Sequence, residues 1–237
     1  MYQAISRNRL RDWSKYWSDK RKYIAMGGSE DIVHFPIITD WTDETQIDPI
    51  YYHQDSWAFE RILAAKPSRH VDIGSHHKLV ALLSKVVPTV MVDIRPLSVS
   101  LDSLEFVEGS ILELPFADKS QESVSSICVV EHIGLGRYGD PIDPSGSVKA
   151  ANELARVLAP NGRLFISVPV GKQDFLYFNA HRVFSESSVL ALFPELELVQ
   201  SRYIYGNDFV QGYRDEVGTG CYEFKRPAKP NRSQDAG

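Results

Sequence analysis

Two aspartates stand twenty-one positions apart, each in a short apolar run: Asp72 in Val71-Asp72-Ile73-Gly74-Ser75 and Asp93 in Val90-Met91-Val92-Asp93-Ile94. A carboxylate at the carboxyl end of a parallel strand can accept two hydrogen bonds from a ribose 2′,3′-diol, and Gly74 lets a ligand approach the backbone. Either aspartate alone reads equally well as a turn or helix cap; together they predict a nucleoside pocket. His132, His181 and His76 compete for a proton-transfer role, because an imidazole titrates near neutrality and can take a hydroxyl proton. The plainer reading of any one of them is structural.

The segment Gly134-Leu135-Gly136-Arg137-Tyr138-Gly139-Asp140-Pro141-Ile142-Asp143-Pro144-Ser145-Gly146 gathers Arg137, Tyr138, Asp140 and Asp143, groups suited to a polar, phosphorylated or sugar-like ligand. Its alternative is a rigid Pro/Gly turn capped by the aspartates. The G-x-G-x-x-G spelled by Gly134, Gly136 and Gly139 reads as accidental, since Pro141 and Pro144 follow where a dinucleotide fingerprint opens a helix. Glu131, His132, Asp140, Asp143 and His181 suit Mg²⁺, Mn²⁺ or Fe²⁺ by type, but no tight ligand spacing supports a metal and none is assigned. No G-x-S-x-G, H-E-x-x-H or C-x-x-C occurs, so hydrolase, zincin and thioredoxin-like chemistries lack support.

The elements that must position these groups follow from periodicity. Strands are expected at His70–Ile73, Thr89–Ile94, Leu104–Glu108, Val124–Val130 and Arg163–Val168, and helices at His77–Val87, Val148–Leu158 and Glu186–Phe193. Glu195–Tyr205 and Gly220–Lys225 make a closing antiparallel pair, and Pro160-Asn161-Gly162 reads as a helix stop. This alternation predicts an α/β fold, a mostly parallel sheet covered by helices on both faces. Residues 1–60 stand apart as an accessory segment holding all four tryptophans, with Trp13 and Trp17 at helical spacing. Residues 61–225 form the α/β domain, and 226–237 a proline-rich, polar, flexible tail.

With 237 residues, 43% of them hydrophobic, and a net charge of −5, the composition excludes a disordered chain and a generally basic nucleic-acid binder. Cys128 and Cys221 are too few for a disulfide framework. The opening residues lack a signal peptide's apolar centre and no stretch is long enough to span a bilayer, so a cytoplasmic location is expected. Nothing in the sequence decides for or against a homo-oligomer.

Over about residues 60–205 the chain resembles the class I S-adenosylmethionine-dependent methyltransferases, a Rossmann-like fold. The resemblance rests on ordered motifs: Val71-Asp72-Ile73-Gly74, Asp93, Glu108-Gly109-Ser110-Ile111, Leu114-Pro115-Phe116-Ala117-Asp118, Val130-Glu131-His132, and Glu153-Leu154-Ala155-Arg156-Val157-Leu158-Ala159-Pro160-Asn161-Gly162. It departs where Ser75, His76 and Lys78 stand in place of a glycine-rich continuation, and where Ser110 replaces the usual aspartate.

The resemblance implies S-adenosylmethionine as cofactor and S-adenosylhomocysteine as product. Asp72, Gly74, Ser75 and His76 would hold the amino-acid end, Asp93 the ribose, and Ile94, Ser110 and Ile111 the adenosine, with Val130 and Glu131 completing the cofactor site. Arg137, Tyr138, Asp140, Asp143, Asn179 and Arg182 would bind a small polar acceptor, with His132 or His181 as general base. The stretch from Glu131 to Pro144, with Asn179-Ala180-His181-Arg182, resembles a bacterial methyltransferase-like family associated with surface-polysaccharide biosynthesis, which implies a sugar or sugar nucleotide. The missing glycines motivate an alternative: a degenerate relative that binds or modifies a nucleotide sugar without methyl transfer. A membrane-peripheral scaffold using the aromatic N-terminal helix is a third.

Overall fold

The computed structural model describes residues 9–228. The chain divides into two compact units, Met1–Ile47 and Asp48–Gly237. In the first, helix α1 (Arg9–Ala25) is followed by a turn and chain without regular structure up to Ile47. Trp13 stacks on Trp17, with ring centroids 6.4 Å apart, and His34 tilts against Trp17 at 5.3 Å.

The second unit opens with α2 (Pro49–Ala65). Asp48 starts it, its Oδ1 accepting the Ile50 and Tyr51 N–H groups, with proline at the first turn. The boundary expected between residues 60 and 61 therefore falls inside a helix. Trp57, Ala58 and Ile62 of α2 are buried with the sheet residues Ile127 and Phe165, so this helix is part of the α/β unit.

The sheet elements are β1 (His70–Ile73), β2 (Thr89–Asp93), β3 (Leu104–Glu108), β4 (Gln121–Ile127), β5 (Leu158–Val170), β8 (Glu197–Tyr205), β9 (Asp208–Val210) and β10 (Gly218–Lys225). They run in the order β3-β2-β1-β4-β5-β10-β8-β9, the first five parallel and β10 antiparallel between β5 and β8. Helices α3 (His77–Leu83), α4 (Gly146–Val157) and α5 (Glu186–Ala191) complete the unit, with a small hairpin of β6 (Phe175–Tyr177) and β7 (His181–Val183). The Rossmann-like expectation, with its antiparallel closing strands, is met. Because β1 lies between β2 and β4, the carboxyl ends of β1 and β2 meet at the point where strand order reverses, the place where open α/β sheets bind ligands, with Asp93 at the end of β2 and Asp72 one residue inside β1.

Three local expectations differ. β4 is shifted three residues toward the N-terminus, ending at Ile127 rather than Val130, and buries Ser123, Ser125 and Ser126. The chain then turns out of the sheet, Cys128 adopting a left-handed φ of +53°, and Val130–His132 form one 3₁₀ turn. Pro160-Asn161-Gly162 does not separate a helix from a strand; β5 starts at Leu158, pairs with Gln121, and carries the triplet as an irregularity before the register resumes at Ser123 and Arg163. The expected tail from Arg226 lies from residue 229 onward outside the described residues, whereas Arg226 is anchored, donating to the Ala155 carbonyl at 2.5 Å and pairing with Glu195 at 3.0 Å.

Candidate functional site

At the carboxyl rim, β1, β2, β3 and β4 end around an open cleft. Gly74, Asp93, Ile94, Ser110, Ile111 and His132 line it, with Tyr138 over it. Gly74 has a left-handed φ of +70°, and a Cβ there would lie 3.3 Å from Val129 and 3.9 Å from Asp93 Oδ2. A side chain would thus fill the gap that separates the Asp93 carboxylate from β4. Asp93 Oδ1 accepts the Arg95 N–H at 2.8 Å, and Oδ2 has no hydrogen-bond partner among the described residues. One carboxylate oxygen holds the loop and the other is left for a ligand. Ser110 Oγ accepts the Leu112 N–H at 3.1 Å, which leaves its O–H to donate. Ile94, Ile111, Val129 and Ile133 supply apolar walls. These features fit an adenosine: a free carboxylate oxygen for the diol, a glycine floor and apolar faces.

A second lobe shares Gly74, Asp93, Arg95, Cys128 and Tyr138 with the first and adds Tyr51, Ser75 and His76. Tyr51 arrives on α2, which Gln54 ties to the strand ends: its Oε1 accepts the Ser167 hydroxyl at 2.9 Å and the Cys128 thiol at 3.1 Å. Arg95 packs on the Tyr138 ring at 4.5 Å, and Arg137 lies 5.1 Å from the same ring. His76 caps α3 by accepting the Lys78 N–H at 3.4 Å, and burial holds its pKa below the usual imidazole value. Tyr51, Arg95 and Cys128 escaped the sequence reading. No motif marks them, and only the tertiary fold brings α2 and the two strand ends together.

Several sequence-assigned residues are engaged elsewhere. Asp72 is buried beneath the rim and lines neither lobe: Oδ1 accepts the Ser75 N–H at 3.0 Å and Oδ2 the Ser125 hydroxyl at 2.5 Å. Since Ser125 donates its one proton to Asp72, it must accept from His70 Nε2–H (2.9 Å), so His70 Nδ1 accepts from Ser123 (2.8 Å). Burial raises Asp72 to about 6 and lowers His70 to about 3. Ser75 Oγ accepts the Ile127 N–H at 2.9 Å. Val130 is buried and off the cleft wall.

The acceptor assignments change in the same way. Asp140 touches the cleft, but its carboxylate organises the loop, accepting from Gly134 N–H at 2.6 Å and Tyr138 N–H at 3.3 Å. Asp143 accepts from the Ser145 N–H and hydroxyl, both at 2.9 Å, and from Lys149 at 2.7 Å, and the Lys149 ammonium foremost holds it at about 2. Arg182 clamps the loop from beneath, donating to the Ile133 carbonyl at 2.7 Å, Ser147 Oγ at 3.0 Å and the Pro144 carbonyl at 3.3 Å. Asn179 has a φ of +62° and its amide reaches the Leu135 carbonyl at 3.4 Å. Four residues chosen as substrate ligands are thus loop builders, and Arg137, exposed and on neither lobe, donates to the Ala180 carbonyl at 3.1 Å, which leaves Tyr138 on the cleft. The Glu153/Arg156 signature is also structural: Arg156 bonds Glu153, Asp118 and the Leu114 and Phe116 carbonyls, tying the loop after β3 to α4.

Beside the cleft, His132 Nδ1 lies 2.6 Å from the Ala180 carbonyl. A carbonyl only accepts, so Nδ1 carries the proton and Nε2 presents its lone pair, 3.6 Å from Glu131 Oε1. Glu131 is 1% exposed and its Oε2 has no partner among the described residues. Burial pushes Glu131 up to about 8 and His132 down to about 4. His181 sits behind, its ring 6.3 Å from His132 and 5.2 Å from Tyr177, off the cleft wall, with its pKa lowered by burial and by Arg137. Among the described residues no three His, Cys, Asp or Glu side chains converge as a metal site, and no helix is long and apolar enough to cross a membrane.

The model of one protein family, described as "Caenorhabditis protein of unknown function, DUF268", matches residues 96–214, half of the sequence. The chain belongs to the DUF268 family. The matched part of this DUF268 chain carries β3, β4, the Asp140 loop and the Arg182 clamp, and begins just after Asp93. No curated protein matches the sequence. Among solved structures, the DUF268 chain is similar to the [4+2]-cyclase SpnF (12% identity over 93% of this chain and 96% of that one, TM-score 0.60). It is also similar to the 1,6-didemethyltoxoflavin-N1-methyltransferase of Burkholderia thailandensis with bound S-adenosylhomocysteine (14%, 96% and 93%, 0.53). A third is N-methyltransferase NodS from Bradyrhizobium japonicum WM9 in complex with S-adenosylhomocysteine (17%, 76% and 89%, 0.53). At these identities the likeness is one of fold.

Proposed function

We propose that this DUF268 protein is an S-adenosylmethionine-dependent methyltransferase acting on a small polar acceptor, a sugar or sugar nucleotide. The observation that carries the cofactor assignment is the unpartnered Asp93 oxygen beside the Gly74 floor, at a strand-order reversal walled by Ile94 and Ile111. Two structural neighbours described with bound S-adenosylhomocysteine support it. The acceptor class rests on the resemblance of the loop sequence to a family of surface-polysaccharide biosynthesis, and on the aromatic and cationic wall of Tyr138, Arg95 and Tyr51.

In this reading Asp93 holds the ribose, Ser110 and Ile111 the adenine, and Gly74, Ser75 and His76 the amino-acid end. When bound, S-adenosylmethionine supplies an electrophilic methyl group. Holding an acceptor oxygen in line in the second lobe can lower a barrier by ~7–11 kcal/mol. Burial keeps Glu131 protonated and His132 neutral near pH 7. His132 lines the cleft with its Nε2 lone pair free, and takes the acceptor's hydroxyl proton as the methyl group is transferred.

The test is thermal unfolding of the full chain with S-adenosylmethionine, S-adenosylhomocysteine or a nucleotide sugar. A ligand at ~100 times its Kd adds ~2.7 kcal/mol, an upward shift of roughly 5–10 °C for a domain of this size. A shift with neither adenosyl compound defeats the proposal. A shift with the nucleotide sugar alone supports a second reading, a degenerate relative that binds such a molecule without methyl transfer. That reading is favoured by His76 standing where a glycine loop would continue, and by the neighbour SpnF being described as a cyclase.

A further inference from the structure

Helix α1 carries six lysines and arginines against two aspartates, a net charge of +4 in a chain whose total is −5, which leaves the remainder at −9. At 100° per residue, Leu10, Trp13, Trp17 and Ile24 share one arc, Arg11, Lys15 and Lys22 lie opposite, and Lys20 and Arg21 flank the arc. An aromatic stripe at this spacing ordinarily packs into a core. Here no described side chain of α1 is buried: Leu10 is 90% exposed, Trp13 39% and Trp17 43%. Apolar exposure continues past the helix at Met26, Val33 and Phe35. A monomer surface rarely leaves so many large apolar groups together without a partner.

We propose that α1 docks the protein on an anionic membrane surface. Trp13, Trp17 and Leu10 enter the headgroup region, where amphipathic indoles are favoured, and the lysines and arginines meet anionic headgroups. The charge is local to the helix: at +4 it is attracted to such a surface although the whole chain carries −5. This inference is independent of the proposed reaction.

The experiment is co-sedimentation of the full chain with sucrose-loaded vesicles of phosphatidylcholine alone, or of equal parts phosphatidylcholine and phosphatidylglycerol, with intrinsic tryptophan emission recorded alongside. The expected result is pelleting with the phosphatidylglycerol vesicles only, weakened by salt and accompanied by a blue shift. Trp13→Ala with Trp17→Ala, and separately Arg11→Glu with Lys22→Glu, should each weaken partitioning about tenfold while leaving the melting temperature of the α/β unit unchanged, since none of the four is part of its core. Equal pelleting with both lipids, or wild-type pelleting by the charge-reversed variant, overturns the proposal. So does a dimer in solution that the tryptophan variant dissociates without any change in vesicle binding, because the stripe would then cover a second copy.

Discussion

Replacing Asp93 with asparagine separates the two duties of one side chain. Oδ1 accepts the Arg95 N–H at 2.8 Å, and the asparagine oxygen can keep that bond, so the turn after β2 should survive. Asparagine lacks the charge of the second oxygen, which stands 3.9 Å from the Cβ position of Gly74 with no hydrogen-bond partner among the described residues. A hydrogen bond to a charged acceptor contributes ~1.5–3 kcal/mol, so the Kd for S-adenosylhomocysteine should rise about 10- to 150-fold. Isothermal titration calorimetry measures this directly, with circular dichroism confirming an unchanged fold. Affinity within about twofold of wild type would show that Asp93 does not grip the ligand, and the nucleoside assignment of the rim would fall.

Asp72→Ala removes the acceptor for the Ser75 N–H and the Ser125 hydroxyl inside the sheet, and should cost about 1–3 kcal/mol in urea unfolding with an unchanged m-value; no loss would place Asp72 outside the structural network. Glu131 stays protonated to about 8 in the folded chain against 4.5 for an unperturbed glutamate, so the native state binds the extra proton in that window. Its contribution is therefore present below about 4.5 and lost as pH rises to about 8; the stability difference between Glu131→Gln and wild type should grow in the variant's favour from pH 5 to pH 8, and a constant difference refutes the shift. Arg182→Ala should lower stability by about 1–3 kcal/mol and open the 133–146 loop to limited proteolysis, with Arg182→Lys failing to restore it because an ammonium cannot reproduce the forked donors. An unchanged cleavage pattern would mean the loop holds itself.

Much of the fold could be read from residue patterns, because β2 is a short apolar run after Pro88, β3 sets Leu104, Phe106 and Val107 among glutamates before Gly109, and α4 repeats its apolar residues at three and four. β4 resisted because its interior is serine-rich: what fixes it is hydrogen bonding to His70 and Asp72 on a neighbouring strand, which no local pattern announces. In the cleft, Gly74, Asp93, Ser110 and Ile111 were legible since strand ends in this topology meet at one rim. Asp140, Asp143, Asn179 and Arg182, expected at an acceptor, bond the loop itself, and the reason is chemical. Carboxylates, amides and guanidinium groups that bind sugars also satisfy the backbone of a long Gly/Pro loop, and only coordinates show which partner they have. Tyr51 and Arg95 needed the tertiary arrangement, one carried in on α2 and the other turned back over Tyr138.

The hydrogen-bonded chain running from Ser123 through His70, Ser125 and Asp72 to the Ser75 amide fastens the first ligand-facing turn to the centre of the sheet. A turn held this way is already in its receptive shape before any guest arrives, so recognition there forfeits little chain freedom. Amide hydrogen exchange at Gly74 and Ser75 should accordingly be slow in the empty protein and change little on saturation.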